Sequence, residues 1–415
     1  MSAFYEAREA QPPEAREADV FRRFAPFLAE ALKAAPGLAR HLGDVEPRRI
    51  MSRETLAALP VLRKDRLMQM QAEEPPFGGF VPADMLTGMR VFMSPGPLWE
   101  PQGPGPDPWG VARALHAAGF RSGDVVVNTY AHHMTPGGFI MEEGARALGC
   151  TVFPAGPGNS EAQAAAVAAL RPVGYLGTPD FLKVILEKAA EGGRDASSLK
   201  RAHVSGGALF PSLRQDYASR GISVLQAYAT ADIGLIAYET THQGTLCEGM
   251  VVNEDILVEI VRPGTGDPVP DGEVGEIVVT TLNRAYPLVR FGTGDLSAVI
   301  GEASPCGRTN MRLKGWMGRA DQRTKVKGMF VDPAQIAAIG KRHPEIARLR
   351  LIVTRQDERD ATLLKGEGEN DAVDVERLAQ DFHATTGLRL DDSEIVPSGT
   401  LPNDGKVIDD QRRYD

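Results

Sequence analysis

The residues best equipped for chemistry stand where short apolar runs end in glycine. "HVSGGALF" (203–210) closes a strand-like run on Ser205, Gly206, Gly207 and Ala208, and an end without bulky side chains lets a planar ring approach the backbone. "LQAYATADIG" (225–234) puts Tyr228 beside Ala229 for stacking on such a ring, with Thr230 and Asp232 as a hydroxyl and a carboxylate for phosphate and metal. "VRFGTGDLSAVI" (289–300) sets Asp295 in a tight Thr-Gly-Asp turn, suited to accept from the vicinal hydroxyls of a ribose. Further on come Arg319, then Lys325, Lys327 and Gly328, and finally Lys406 on a Gly-led loop. Taken singly, each has a plainer explanation. A glycine-bearing strand end is more often just a turn, and a hairpin Asp or a tail Lys is ordinary surface charge.

A second candidate is "RVFMSPGPLWEPQG" (90–103). Val91 and Phe92 would end a strand, and Ser94 and Gly96 stand where a phosphate-cradling turn needs a hydroxyl and a permissive backbone. Pro95, Pro97 and Pro101 have no N–H to offer. Glu100 would repel an anion, and the segment contains no lysine.

The elements that must position these residues follow from the hydrophobic pattern. "FRRFAPFLAEALKAA" places Phe21, Phe24, Leu28 and Leu32 on one helical face. From Trp109 onward helices alternate with short β-branched strands: "DVVVNTY", "CTVFPAG", "VGYLG", "RAHVSGG" and "ISVLQAY" are the strands. The helix of "NSEAQAAAVAALRP" opens with a capping-box pattern, Ser160 and Gln163, and Thr178 caps the next one ahead of Pro179. Five such units predict a parallel, doubly wound sheet that binds ligands at the carboxyl ends of its strands. Near residue 250 the pattern changes to strands joined by Gly, Pro and Asp turns, which predicts an antiparallel or barrel-like section. A small α+β unit follows. The fold class expected is therefore α/β, with a large domain over 1–319 and a small one over 320–415.

Composition bounds the partners. The chain has 415 residues, 42% hydrophobic and 24% charged, with a formal net charge of −9, which argues against nucleic acid and anionic membranes as partners. Three cysteines without framework spacing indicate a reducing compartment. With no leader-like start and no membrane-length apolar run, a cytoplasmic protein is expected.

Taken in order, the Gly-rich strand end, the Tyr-containing turn with its acidic residue, "PLVRFGTGDL", "SPCGRTN", "GRADQRTKVKGMFVDPAQI" and the late Gly-Lys resemble the adenylate-forming acyl-CoA synthetases. With "ALPVLRKDRL" added, the chain is most similar to the phenylacetate-CoA ligase family, from about residue 55 to the end. The resemblance implies ATP-driven activation of a carboxylic acid to an acyl adenylate, transfer to the thiol of coenzyme A, a mobile C-terminal domain that rotates between the two steps, Mg²⁺, and a homodimer. By matching position, Ser205 to Ala208, Tyr228 and Ala229 would hold adenine, Asp295 the ribose, and Arg319 the ribose or phosphate. Asp321 would be the hinge and Lys406 the catalytic lysine. Thr230 and Asp232 would act at the phosphates, with Asp232 on the metal, and Lys325, Lys327 and Gly328 would line the thioesterification face. Tyr130, His132 and Gly137, in "NTYAHHMTPGGF", fall where the family places its aryl pocket; ordinary buried aromatics fit Tyr130 and His132 equally.

Several positions depart from the family pattern. Asp232 replaces Glu, Gly207 replaces an acidic residue, and the phosphate loop that should end in Lys is the proline-rich segment with only Ser94 and Gly96 retained. A structural zinc known in some members would find three ligands at best, His242, Cys247 and Cys306, because Ser304 and Thr240 stand at cysteine positions. Adenylation with another acceptor, and a binding-only descendant, remain alternatives at this level. The retained Lys406 speaks against the second.

Overall fold

The β-branched runs between glycines become the strands of one nine-stranded sheet. Its order, edge to edge, is Val299–Ile300, Arg312–Leu313, Met250–Val252, Gly234–Tyr238, Ser223–Thr230, Arg201–Val204, Gly174–Gly177, Val125–Asn128 and Thr151–Pro154. The last five are mutually parallel, and the first four join on antiparallel. Numbered along the chain, the parallel part runs 2-1-3-4-5. Its order reverses between Val125–Asn128 and Gly174–Gly177, the crevice where doubly wound sheets bind ligands. Side chains alternate across the sheet. Leu176 and Leu225 pack on one face with Leu115, Ile140 and Met141, while Tyr175, Val204 and Val224 pack on the other with Leu182, Ile185 and Leu213.

The structure is a computed structural model and describes residues 3–94, 96–261, 266–320, 324–356, 359–369, 373–402 and 407–412. Two units are distinguished, Met1–Gly318 and Arg319–Asp415.

In the first unit, helix Pro13–Ala34 buries Phe21, Phe24 and Leu28, and Leu32 packs partly buried on the same cluster. Each such side chain contributes about 1.5–3 kcal/mol by leaving water. The section after residue 250 forms a four-stranded sheet in the order Leu62–Arg63, Phe291–Ser297, Gly275–Thr281, Ile256–Val261. Three of these strands are antiparallel, and the N-terminal pair Leu62–Arg63 lies parallel to Phe291–Ser297. Arg290 ties the N-terminal segment to this sheet. Its guanidinium meets Glu259 at 3.0 Å through two nitrogens and also donates to the carbonyls of Ala57, Leu59 and Gly266.

Local capping departs from expectation at one helix. Ser160 is the first residue of helix Ser160–Leu170 and not its cap; the cap is Asn159 in the left-handed region at φ 52°. Gln163 does not reach back to close a capping box. Its amide donates to the carbonyls of Ala155 and Gly156, fixing the preceding turn. Thr178 does sit at the cap of helix Pro179–Glu191, but its hydroxyl makes no cap bond.

The second unit has its own sheet, ordered Asp392–Val396, Arg359–Glu367, Arg348–Gln356, Ile408–Asp410, beside a hairpin of Thr324–Val326 and Met329–Val331. Helices Pro333–Gly340 and Val375–Thr386 close a core built on Ile336, Ile339, Leu351, Val353, Leu364, Leu378 and Phe382. Asp374 caps the longer helix by accepting from the Arg377 N–H at 3.0 Å, and Gly387 ends it in the left-handed region.

Candidate active site

At the carboxyl end of the parallel sheet, Tyr228 and Asp295 come together although 67 residues apart, and the Tyr228 hydroxyl donates to Asp295 Oδ2 at 2.8 Å. Trp316 Nε1 donates to Oδ1 at 2.9 Å, and the Asp295 N–H donates to the Thr293 hydroxyl at 3.1 Å. The result is a carboxylate fixed in orientation by two aromatic donors. An ionised carboxylate offers about four acceptor sites, which suits a diol. Trp316 was not singled out in the sequence, where "KGWMGR" carries no pattern that marks it.

The segment with the three prolines folds as a hairpin, Val91–Ser94 against Leu98–Pro101, with Ser94 opposite Leu98 and Phe92 opposite Glu100. Gly96 lies in its turn, and Pro95 lies outside the described residues. Helix Lys64–Glu73 supports the hairpin. The Gln71 amide donates to the Trp99 carbonyl at 2.9 Å and accepts from the Trp99 N–H at 2.8 Å, as a neighbouring strand would. Seven residues earlier on the same helical face, Lys64 reaches Asp232 Oδ2 at 3.1 Å. Lys64 is thus a cation close to a hairpin that has none of its own. Its only trace in the sequence is the "ALPVLRKDRL" motif.

Glu100 points inward, 2% exposed, and accepts from the Ser94 hydroxyl at 2.7 Å. Burial, then the charge of Asp232, holds its carboxyl well above the usual carboxylate range. Asp232 is 8% exposed, and its Oδ1 has no donor among the described residues. Thr230 accepts from the Ile233 N–H at 3.3 Å, which fixes the turn that carries Asp232.

The neighbouring strand ends are knotted by Tyr130. Its hydroxyl lies 2.7 Å from the Gly177 carbonyl and 2.8 Å from that of Ser205, and accepts from the Ser205 N–H at 2.8 Å. One proton serves the two carbonyls in turn. Burial raises the Tyr130 phenol far above its ordinary value, so it stays a neutral strut at the reversal point of the sheet, with its ring half-buried beside Gly137. Gly206 takes φ +74°. Gly206 and Gly207 are exposed, with Ala208 and Ala229 half-buried, which leaves the backbone there open to a flat ring. His132 Nε2 meets Glu142 at 3.0 Å, and its ring stands edge-on to Phe139 at 5.1 Å.

In the second unit, the Arg319 guanidinium and the Lys325 ammonium both lie within 6 Å of the Phe330 ring, at 5.9 and 5.8 Å. Lys327, at φ 48°, is ion-paired with Asp391 at 2.7 Å and is followed by Gly328 at φ +86°. Lys406 and Asp321 lie outside the described residues. Of the zinc-like positions, Cys306 contacts the Ser304 hydroxyl at 3.1 Å, Cys247 is buried, and His242 is exposed on the short hairpin that Cys247 follows. Burial alone would raise the Cys306 thiol, but hydrogen bonds from Ser304 and Arg308 bring it down to about 7.

A family model described as AMP-binding enzyme matches residues 110–283. The phenylacetate-coenzyme A ligase of Thermus thermophilus is 30% identical over 377 residues, which cover 86% of this chain and 83% of that protein. That of Aromatoleum evansii is 30% identical over 328 residues, 75% of this chain and 72% of that protein. A crystal structure of 2-hydroxyisobutyryl-CoA ligase in complex with 2-HIB-AMP and CoA matches with a TM-score of 0.84 at 25% identity, over 100% of this chain and 93% of that one. With this extent of identity on a shared fold, the chain belongs to the phenylacetate-CoA ligase family of AMP-binding enzymes.

Proposed function

We propose that the chain is an AMP-forming acid–thiol ligase. A carboxylate oxygen of the substrate attacks the α-phosphorus of ATP and pyrophosphate leaves; the thiol of coenzyme A then attacks the acyl carbon of the adenylate, AMP leaves, and the thiol proton passes to solvent. The observation that carries this reading is the pairing of Asp295, oriented by Tyr228 and Trp316, with a separate polar corner at Asp232 and Lys64. One corner suits a ribose diol and the other suits phosphates; Tyr228 and Asp232 come from the end of strand Ser223–Thr230 and the turn after it in the nine-stranded sheet, and Asp295 from strand Phe291–Ser297 of the four-stranded sheet.

Within this reading, Ser205 to Ala208, Tyr228 and Ala229 bind adenine, and Gly96 contacts the outer phosphates through its backbone, since the buried Ser94 hydroxyl expected to join it donates to Glu100 instead. Lys64 supplies positive charge where the hairpin has none. The unpartnered, buried Oδ1 of Asp232 fits a divalent cation; Mg²⁺ held there would neutralise charge on the phosphates. Lys406 bridges the carboxylate and α-phosphate, a fixed cation placed where charge develops. Arg319 contacts ribose or phosphate, Asp321 is the hinge about which the C-terminal domain turns, and Lys325, Lys327 and Gly328 face coenzyme A. The acid is an aryl or arylacetic acid lodged near Tyr130, Gly137 and His132. Because the Tyr130 hydroxyl is engaged with backbone, that side chain offers the acid its ring and not its polar end. A homodimer, on the resemblance alone, and a cytoplasmic location, on the three cysteines without framework spacing, complete the reading.

The test is acid-dependent pyrophosphate release across aryl, arylacetic and short aliphatic acids, with Lys406→Ala as control. Release by the wild type and none by the variant, with ATP binding nearly intact in both, is the expected outcome; equal release by the variant overturns it.

A further inference from the structure

The hairpin brings a second carboxylate to Asp232. Glu100 Oε1 is occupied by the Ser94 hydroxyl at 2.7 Å, and Asp232 Oδ2 by Lys64 at 3.1 Å. The two remaining oxygens, Glu100 Oε2 and Asp232 Oδ1, are buried and have no donor among the described residues, and the carboxyl groups lie within hydrogen-bonding reach of each other. Two such acceptors call for a cation, a shared proton or a donating water, since an unpaired buried carboxylate oxygen is costly. Ionised, the trio of Glu100, Asp232 and Lys64 carries one net negative charge. That sign is wrong for a surface meant to grip a triphosphate, unless a divalent ion reverses it.

We propose that Glu100 and Asp232 together bind the divalent cation that accompanies ATP, so that this hairpin grips the polyphosphate through a metal in place of a loop lysine. The donor set suits a hard, oxygen-seeking ion of the Mg²⁺ type, which takes one or two carboxylates and completes its shell with phosphate oxygens and water. Ser94 is then a positioning residue that orients Glu100 by its hydroxyl. The hairpin register supports the assignment. Residues 94 and 100 both point to its buried side, whereas Trp99 between Leu98 and Glu100 points out and is 40% exposed.

This inference rests on the ligase reading for its nucleotide, and Mn²⁺ is the probe. Electron paramagnetic resonance titration of the full chain with Mn²⁺, in the presence of a non-hydrolysable ATP analogue, reads the metal site without turnover. Glu100→Gln, which keeps size and can donate to Asp232, is expected to weaken Mn²⁺ binding at least about tenfold at unchanged melting temperature, and Ser94→Ala to weaken it less. Glu100→Lys, which replaces the carboxylate with a fixed cation, is expected to bind the analogue without added metal. Mn²⁺ affinity in Glu100→Gln equal to wild type overturns the proposal. A Glu100-dependent Mn²⁺ site in a chain that releases no pyrophosphate with any acid would instead retain the metal site and remove the ligase reading.

Discussion

Asp295 accepts from both Tyr228 and Trp316, so its carboxylate is held in one orientation by side chains that reach it from different parts of the chain. A pre-oriented acceptor loses little on binding a diol, and hydrogen bonds to a charged group are each worth about 1.5–3 kcal/mol. Asp295→Ala should therefore weaken AMP binding by about two orders of magnitude in calorimetric titration. Trp316→Phe, which removes one of the two anchors, should cost about tenfold or less. An Asp295→Ala chain that binds AMP as wild type does would remove this residue from the nucleotide site. The sequence made Asp295 and Tyr228 legible because each sits in a turn of recognisable composition. It left Trp316 unmarked and Lys64 visible only as part of a motif, with no role, because both matter through contacts with residues 21 and 168 positions away. Nothing in the local pattern encodes such a pairing. Arg290 makes the opposite point: it belongs to the most recognisable motif in the chain, yet it is 1% exposed and bound to Glu259 and three carbonyls. Its place in the motif is structural.

At the scale of elements, the βα units were readable because buried parallel strands show as short β-branched runs bounded by glycine or proline. Val125–Asn128 and Thr151–Pro154 are where the pattern put them. The proline-rich segment was only half readable. Its first strand was visible, but Leu98–Pro101 was not, because prolines at 97 and 101 argue locally against a strand. The pair is a two-stranded sheet of its own, so Pro101 can end it without breaking a longer ladder. A hairpin this short is marginal alone. What holds it is Gln71, whose amide satisfies both backbone groups of Trp99, together with the Met134 carbonyl, which accepts from the Met93 N–H at 2.8 Å. Gln71→Ala removes two hydrogen bonds to the hairpin and a third to the Tyr286 hydroxyl, each worth about 1 kcal/mol. It should raise the KM for ATP several-fold while leaving the KM for the acid unchanged. Steady-state kinetics with each substrate varied in turn checks this, and a change confined to the acid would place the hairpin elsewhere in the mechanism.

For the whole molecule, the separate cores matter most. The buried cluster from Val326 to Ile408 contains no residue of the first unit, and the three other clusters contain none of the second. Each unit therefore has the apolar interior that independent folding needs. The residues proposed to meet the nucleotide, Tyr228, Asp232, Asp295 and Trp316, all lie in the first unit, whereas the proposed catalytic Lys406 lies in the second. Binding and turnover should then be separable by damage to one core. Phe382, fully buried on helix Val375–Thr386, is the residue to remove. Phe382→Ala should cost the second unit about 3–5 kcal/mol, out of a domain stability on the order of 5–15 kcal/mol. Scanning calorimetry should show one transition lowered by many degrees and the other in place. AMP affinity should hold at 25 °C while pyrophosphate release is lost at temperatures between the two transitions. If both transitions move together, or if AMP affinity falls along with turnover, the two units do not fold independently and the division of labour between them fails.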